Sequence, residues 1–343
     1  MKRWWNLATL ATRPKPPVGS TPADAVFGEN KWRLLRYRRP PVSTQDLSTV
    51  ASRTPLLLVP SLINRHYILD LMPGKSLAEY LVARGHEVYV IDWGTPTAED
   101  RFVTFDDIAD RAIGRALTQV TRLSGQPQAH LLGYCLGGTL AAIHAAARPK
   151  KVASLVALAA PIRFGDDGLL AAWTRSPGFD VNAMVDAFGL VPWQLTQGAF
   201  QMLRPTLPLA KAVNLLDRAW NDRYLDGYLA LEAWANDNVS LPGEFYRRYI
   251  DELYRGDALW QGRFAVSGKV AALADIRCPV LAVTFAHDGI APAASCAALV
   301  EGVASVDKSV WTLPGSHVGG VVSREASQGL WPALSAWWTA RDG

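Results

Sequence analysis

A cysteine bracketed by glycines, in the run Gly133-Tyr134-Cys135-Leu136-Gly137-Gly138, constrains this chain more than any other stretch. The preceding Ala129-His130-Leu131-Leu132 reads as a short buried strand, and the following Thr139-Leu140-Ala141-Ala142-Ile143-His144-Ala145 as a helix. Strand, sharp Gly-x-nucleophile-x-Gly turn and helix together make an elbow that lifts a reactive side chain above a sheet edge. Glycine is needed on both sides, because the turn is strained and the helix must pack close to the strand. The turn also aims the helix N-terminus at Cys135, which favours its thiolate.

A nucleophile at such an elbow needs a base and an orienting acid, and this arrangement supplies them in the order nucleophile, acid, base. Downstream, Cys278-Pro279-Val280-Leu281-Ala282-Val283-Thr284-Phe285 reads as a buried strand leading into Ala286-His287-Asp288-Gly289-Ile290-Ala291-Pro292. Lys308-Ser309-Val310-Trp311-Thr312-Leu313 reads as another, leading into Pro314-Gly315-Ser316-His317-Val318-Gly319-Gly320. Acid and histidine therefore sit in loops just past strand ends, where an α/β sheet carries its chemistry. The predicted catalytic residues are Cys135, Asp288 and His317. Among the other histidines, His130 on a strand and His144 on the helix behind the nucleophile read as structural. His66 and His86 flank loops, with His66 placed to line an entrance, and His287 adjoins Asp288 but points away from it.

Elsewhere, apolar strands alternate with amphipathic helices. Leu56-Leu57-Leu58-Val59 is a buried strand ending in the loop Pro60-Ser61-Leu62-Ile63-Asn64-Arg65. Ser76-Leu77-Ala78-Glu79 has capping-box spacing and opens a helix that stops at Gly85. Val88-Tyr89-Val90-Ile91 is a strand running into Asp92-Trp93-Gly94, where Asp92 is expected to hydrogen-bond loop backbone. Ile108, Ala112, Ala116, Val120 and Leu123 recur at helical spacing with Gly125 as terminator, and residues 152–158 form another strand. This rhythm predicts an α/β fold with a mainly parallel sheet covered on both faces. Residues 1–30 read as a polar, Pro-rich arm, with Trp4, Trp5, Leu7 and Leu10 available to touch an apolar partner. Residues 31–160 and 275–343 read as the sheet core. Between them, residues 161–274 are rich in aromatics, Leu and Ala with no clear strand, and read as an inserted helical cap over Cys135. Such a cap protects an acyl intermediate from water.

Composition narrows the classes further. A net charge of +4 on 343 residues, with the basic residues scattered, gives no case for a nucleic-acid partner. Three cysteines without CxxC or Cys/His ligand spacing argue against disulfides and metal, and fit a reducing cytoplasm. The expectation is no metal, no cofactor and no transmembrane segment, with Cys278 and Cys296 in the core.

Several motifs in this order resemble the catalytic subunit of the polyhydroxyalkanoate (polyester) synthases, from about Leu56 to the C-terminus. They are Ile63-Asn64-Arg65-His66-Tyr67-Ile68-Leu69-Asp70-Leu71, Asp92-Trp93-Gly94-Thr95-Pro96, the Cys135 box, Trp234 with Asp237 and Pro242-Gly243, and the two triad loops. The segment Phe179-Asp180-Val181 to Asp186-Ala187-Phe188-Gly189, with the sparse N-terminal region, is most similar to the two-subunit (class III) type. The chain departs from the family pattern at Gly289, where His commonly follows the catalytic Asp, at Asp257, where Asn is usual, and at Leu136, where Gln is often found.

The resemblance implies an α/β-hydrolase fold and an acyltransferase that polymerises 3-hydroxyacyl-CoA and releases CoA, the latter a substrate part rather than a cofactor. It implies that His317 takes the proton of Cys135, that the thiolate attacks the CoA thioester, and that the N–H of Leu136, with one from Leu62 or Ile63, holds the oxyanion. Asp288 would orient His317 and help the 3-hydroxyl of one unit attack the thioester of another. Arg65 and Arg101 could meet CoA phosphates, although each also reads as solvated surface. A non-catalytic second subunit, a homodimer and a place at the surface of polyester granules are implied as well. The rival enzymatic readings are an intracellular polyester depolymerase and an acyl-CoA thioesterase of the same fold. A silent granule-binding protein is the non-enzymatic one.

Overall fold

Short runs of Leu, Val and Ile bounded by turn residues become central strands because every residue of such a run can be buried, on one face or the other. In the computed structural model, which describes residues 1–39, 53–166, 168–203 and 205–342, these runs build one eight-stranded sheet. Its strands are β1 (Ala23–Glu29), β2 (Trp32–Tyr37), β3 (Leu56–Val59), β4 (Val88–Asp92), β5 (Ala129–Tyr134), β6 (Val152–Leu158), β7 (Val280–Phe285) and β8 (Lys308–Leu313). The spatial order is β1-β2-β4-β3-β5-β6-β7-β8. β1 pairs antiparallel with β2 and β2 with β4, while every pair from β4 to β8 is parallel. Parallel strands place the ends of β3, β5, β7 and β8 along one edge, so the loops carrying residues 60–65, 135, 288 and 317 converge there.

The helices follow local signals. Ser76 Oγ accepts from the Glu79 N–H at 2.9 Å and opens the helix Leu77–Ala83. The other half of the expected box is absent, because Glu79 turns instead to the Gly74 N–H at 2.8 Å. Gly125, at φ 73°, ends the helix Ile113–Ser124, which starts with a wide π-type turn over Asp107–Ala112. Side chains alternate between two cores as the pleat requires, Leu57 and Leu131 on one face of the sheet and Leu56, Leu58 and Leu132 on the other. Cys135 packs against both.

Two regions differ from the sequence reading. The stretch 1–30 contains the helix Lys2–Ala8 and all of β1. β1 is an edge strand with no buried residue and a register shift between Ala25 and Phe27, so it lacks the apolar alternation that marks a strand. The N-terminal helix is held by polar contacts. Asn6 Nδ2 donates to the Ala219 carbonyl at 2.7 Å, Lys2 pairs with Asp222 at 2.8 Å, and Trp4 and Trp5 are exposed. The stretch 161–274 is helical over Leu169–Arg175, Val181–Phe188, Trp193–Met202, Leu207–Arg218, Asp222–Ala235 and Gly243–Arg248, the last running into a π-type turn, Tyr249–Arg255. It also holds two ladders of two-residue strands, Leu190–Val191 with Leu241–Pro242 and Ala265–Val266 with Lys269–Val270. Strands that short leave no period in a sequence.

Candidate active site

The site starts from the elbow. Cys135 has φ 56° and ψ −132°, a left-handed conformation that costs a non-glycine residue energy and is held here by its surroundings. Its N–H donates to the Leu158 carbonyl at the end of β6 (2.9 Å), and its carbonyl accepts from the Gly138 N–H (2.8 Å). The flanking glycines are needed for close approach. A Cβ on Gly133 would lie 2.3 Å from Gly138 Cα, one on Gly137 2.1 Å from the Val59 carbonyl oxygen, and one on Gly138 2.4 Å from Ala160 Cβ. The helix Leu136–Ala147 can therefore press so close to the sheet that all its residues are buried. Cys135 itself is only half-buried.

The structure brings the three predicted catalytic side chains together. Asp288 Oδ2 accepts from His317 Nδ1 at 2.7 Å, while Oδ1 accepts from the N–H groups of Ile290 and Ala291, both at 2.9 Å. The Asp288 side chain has no exposed surface, so its carboxylate is oriented on all sides and acts on its surroundings through His317. His317 also interacts electrostatically with the Cys135 side chain. Burial disfavours its imidazolium, yet the interaction with Cys135, the hydrogen bond to Asp288 and the charge of Asp288 outweigh it, and the pKa rises to about 10. Burial pushes the thiols of Cys278 (to about 11) and Cys296 (well above the ordinary value) up, so both stay neutral thiols.

The two predicted oxyanion donors differ in what their N–H groups meet. Leu136 opens its helix, so its N–H has no acceptor one turn back. Ile63 lies in the loop after β3, but its N–H is taken up by Ser61 Oγ at 3.1 Å. The neighbouring Leu62 N–H has no such partner among the described residues.

Two of the remaining histidines, His130 and His144, fall where the sequence puts them. His130 Nδ1 meets Ser154 Oγ at 2.7 Å and His144 Nδ1 the Ala109 carbonyl at 2.8 Å, both deep in the core. His66 Nδ1 is 3.3 Å from Asp92, whose Oδ1 also accepts from the Gly94 N–H (3.1 Å) and whose Oδ2 meets Arg33 (2.8 Å). Arg65 is a correction to its reading as free surface, because its Nε donates to Asp237 at 3.0 Å. Arg101 lies against the Phe102 ring.

Some residues around the site carried no signal on their own. Tyr134 OH donates to the His317 carbonyl at 3.2 Å and its ring packs beside the imidazole, steadying the ring. Tyr246, Tyr249 and Tyr254 share one helical side. Burial raises all three phenols, and the charge of Cys135 adds to the rise at Tyr249 and Tyr254. Asp257 accepts from the Phe164 N–H at 2.7 Å, closing a loop beside these rings. Among the described residues, no group of His, Cys, Asp and Glu could hold a metal ion, and no helix is long and apolar enough to cross a membrane.

A cysteine elbow after β5, an acid after β7 and a histidine after β8 of a mainly parallel sheet define the α/β-hydrolase class, and the model of the alpha/beta hydrolase fold matches residues 54–310. The fold is shared with a putative non-heme bromoperoxidase of Mycobacterium tuberculosis (TM-score 0.53, 15% identity, 84% of this chain and 93% of that one). It is shared too with a monoacylglycerol lipase of Paleococcus ferrophilus (TM-score 0.51, 18% identity, 84% and 97%). Within that class the chain belongs to the poly(3-hydroxyalkanoate) polymerase family. It is 33% identical over 326 residues to the poly(3-hydroxyalkanoate) polymerase subunit PhaC of Allochromatium vinosum, covering 94% of this chain and 90% of that one. It is 34% identical over 326 residues to the subunit of the same name from Haloferax mediterranei, where it spans 65% of the relative's length. Residues 17–81 match the N-terminal model of poly-beta-hydroxybutyrate polymerase.

Proposed function

We propose that this chain is the catalytic subunit of a polyhydroxyalkanoate synthase, which transfers 3-hydroxyacyl units from coenzyme A to a growing polyester through a thioester on Cys135. The observation that carries the proposal is the 2.7 Å hydrogen bond between His317 and Asp288 beside the elbow that presents Cys135, in a chain of this family.

The thiolate of Cys135 attacks the thioester carbonyl, whose oxygen takes the negative charge and is met by the Leu136 N–H and by the Leu62 N–H, since that of Ile63 is held by Ser61. The tetrahedral adduct collapses with loss of the CoA sulfur, which takes the proton held by His317 and leaves as free CoA. One thioester is broken and one formed, so the exchange is nearly balanced and the acyl group stays available. His317, now neutral, accepts the proton of a 3-hydroxyl as that oxygen attacks a neighbouring acyl thioester, forming the ester and returning the thiol. Asp288 holds the imidazole so that its other nitrogen faces the sulfur. No cofactor is needed for any of these steps.

In this reading residues 161–274 form a cap that keeps water from the acyl-enzyme, and the protein works in the cytoplasm at the surface of the polyester it makes. A second, non-catalytic subunit or a second copy of this chain is part of the proposal. The helix Leu207–Arg218 buries none of its residues although it carries Leu209, Val213 and Leu216, and an apolar helix face of that kind suits a partner.

The test is the fate of the acyl group of 3-hydroxybutyryl-CoA, with this protein alone and with the candidate second subunit. Release of CoA with acyl units recovered in insoluble polyester is expected. Free 3-hydroxybutyrate in place of polyester would make the protein a thioesterase.

A further inference from the structure

The loop carrying Leu62 and Ile63 is tied by hydrogen bonds to the segment at the end of the helix Asp222–Ala235. Asp237 accepts from Arg65 Nε at 3.0 Å on one oxygen and from Tyr67 OH at 2.9 Å on the other. Trp234 Nε1 donates to the Arg65 carbonyl at 3.0 Å, the Val239 N–H to the Ile63 carbonyl at 3.4 Å, and the side chains of Asn64 and Asn238 are hydrogen-bonded. Arg65 Nη1 reaches on to the Gly94 carbonyl (3.1 Å), and Trp93 Nε1 holds the Pro60 carbonyl from below (2.9 Å). Residues 234–239 thus grip three consecutive loop residues, Ile63 to Arg65, next to the proposed oxyanion donors.

Resting on the acyl-transfer reading above, we infer that Asp237 is a positioning residue: through Arg65 and Tyr67 it holds the loop 61–65 so that its backbone N–H stands where the oxyanion forms. Its carboxylate touches neither Cys135 nor His317, so it acts on the chemistry only through the loop. The Asp237 side chain is 43% exposed and the Arg65 side chain 24%, an ion pair of the kind that adds little to global stability. A small shift of the loop has a large kinetic effect nonetheless, since misplacement of a reacting group by about 1 Å can cost on the order of a hundredfold in rate. The arrangement also ties the helical segment to the chemistry: any movement of residues 222–239 away from the sheet carries the donor loop with it, so the oxyanion site is complete only while that segment is seated.

The experiment compares two reactions of the same sulfur in the full-length protein, with the second subunit present if activity requires it. Acylation of Cys135 by 3-hydroxybutyryl-CoA in a single turnover forms an oxyanion, whereas alkylation by iodoacetamide forms none. In Asp237→Ala the acylation rate constant is expected to fall on the order of 10- to 100-fold, with the half-saturating concentration of acyl-CoA and the alkylation rate within about twofold of the parent. Arg65→Ala should lose a similar factor, and the double variant little more, because the two side chains share one interaction. Unchanged acylation in Asp237→Ala overturns the inference. So does an equal fall in acylation and alkylation, which would mark a structural defect at the elbow. A parent protein that is alkylated but never acylated would refute the synthase reading itself.

Discussion

At the scale of single residues, the site turns on how Asp288 divides its two oxygens. One is spent on the Ile290 and Ala291 N–H groups and the other on His317, with nothing left to face a substrate. Asparagine can keep the first pair of hydrogen bonds but offers His317 an amide, which no longer holds the ring with its proton on Nδ1. The two chemical steps should feel this unequally. A thiol ionises readily, whereas a 3-hydroxyl needs a strong, correctly oriented base at the moment of attack. In Asp288→Asn we expect Cys135 to be acylated by 3-hydroxybutyryl-CoA within roughly tenfold of the parent rate, and chain growth to fall about a hundredfold or more. Rapid-quench counting of acyl-enzyme against released CoA separates the steps, and equal losses in both would confine Asp288 to orienting the base. Cys135→Ala should abolish both steps while leaving the fold intact, since the side chain sits half-exposed at the mouth of the site.

At the scale of elements, the elbow is a packing problem solved by glycine. A methyl on Gly138 would stand 2.4 Å from Ala160 Cβ and 2.7 Å from the Gly133 carbonyl oxygen, so the helix Leu136–Ala147 must retreat from β5 and β6 to admit it. Gly138→Ala should lower stability by about 1–3 kcal/mol, with activity lost because Cys135 moves with its helix. At Gly329, in the wide turn Ala326–Leu330, a methyl would meet nothing within 4 Å, and Gly329→Ala should be neutral or stabilising by up to about 1 kcal/mol. Denaturant titration of the two variants beside the parent checks both. The same elements show what a sequence can reveal. Residues 56–59, 152–158 and 308–313 are read to the residue, because a strand in the middle of the chain's rhythm is bounded by turn residues on both sides. The hairpin β1–β2 escapes the reading. Its turn signal is Asn30 at φ 52°, and the pattern of β2 depends on Trp32, Leu34 and Tyr37 facing a core built from distant parts of the chain. The positions of Cys135, Asp288 and His317 were legible because each follows a readable strand. The grip of Asp237 on Arg65 was not, since its partners lie 172 residues apart and neither pattern nor spacing joins them.

At the scale of the whole molecule, acid stability follows from histidines that folding strips of water. His86, His130 and His144 are at most 2% exposed, and burial lowers each of them from 6.5 to about 4, helped at His86 by the charge of Arg53 and at His130 by that of Arg341, and opposed at His144 by the Ala109 carbonyl. The unfolded chain therefore binds protons at these positions below pH 6.5 that the folded chain refuses until about pH 4. Their contribution to stability is complete above pH 6.5 and falls as the pH drops through that window, by up to about 1.4 kcal/mol per pH unit for each histidine. His317 has the opposite sign. Raised to about 10 in the fold, it is protonated in both states below 6.5, adds no slope there, and gives up its contribution as the pH climbs from 6.5 through 10. Between pH 6.5 and 5, above the range in which ordinary carboxylates titrate, the denaturant midpoint should therefore fall steadily. Substituting one of the three, as in His144→Gln, whose amide can still donate to the Ala109 carbonyl, should flatten the slope by about a third. A midpoint level from pH 6.5 to 5 in the parent would mean that water or a local opening reaches these rings, and that the sheet's two cores are less tightly closed than their packing indicates.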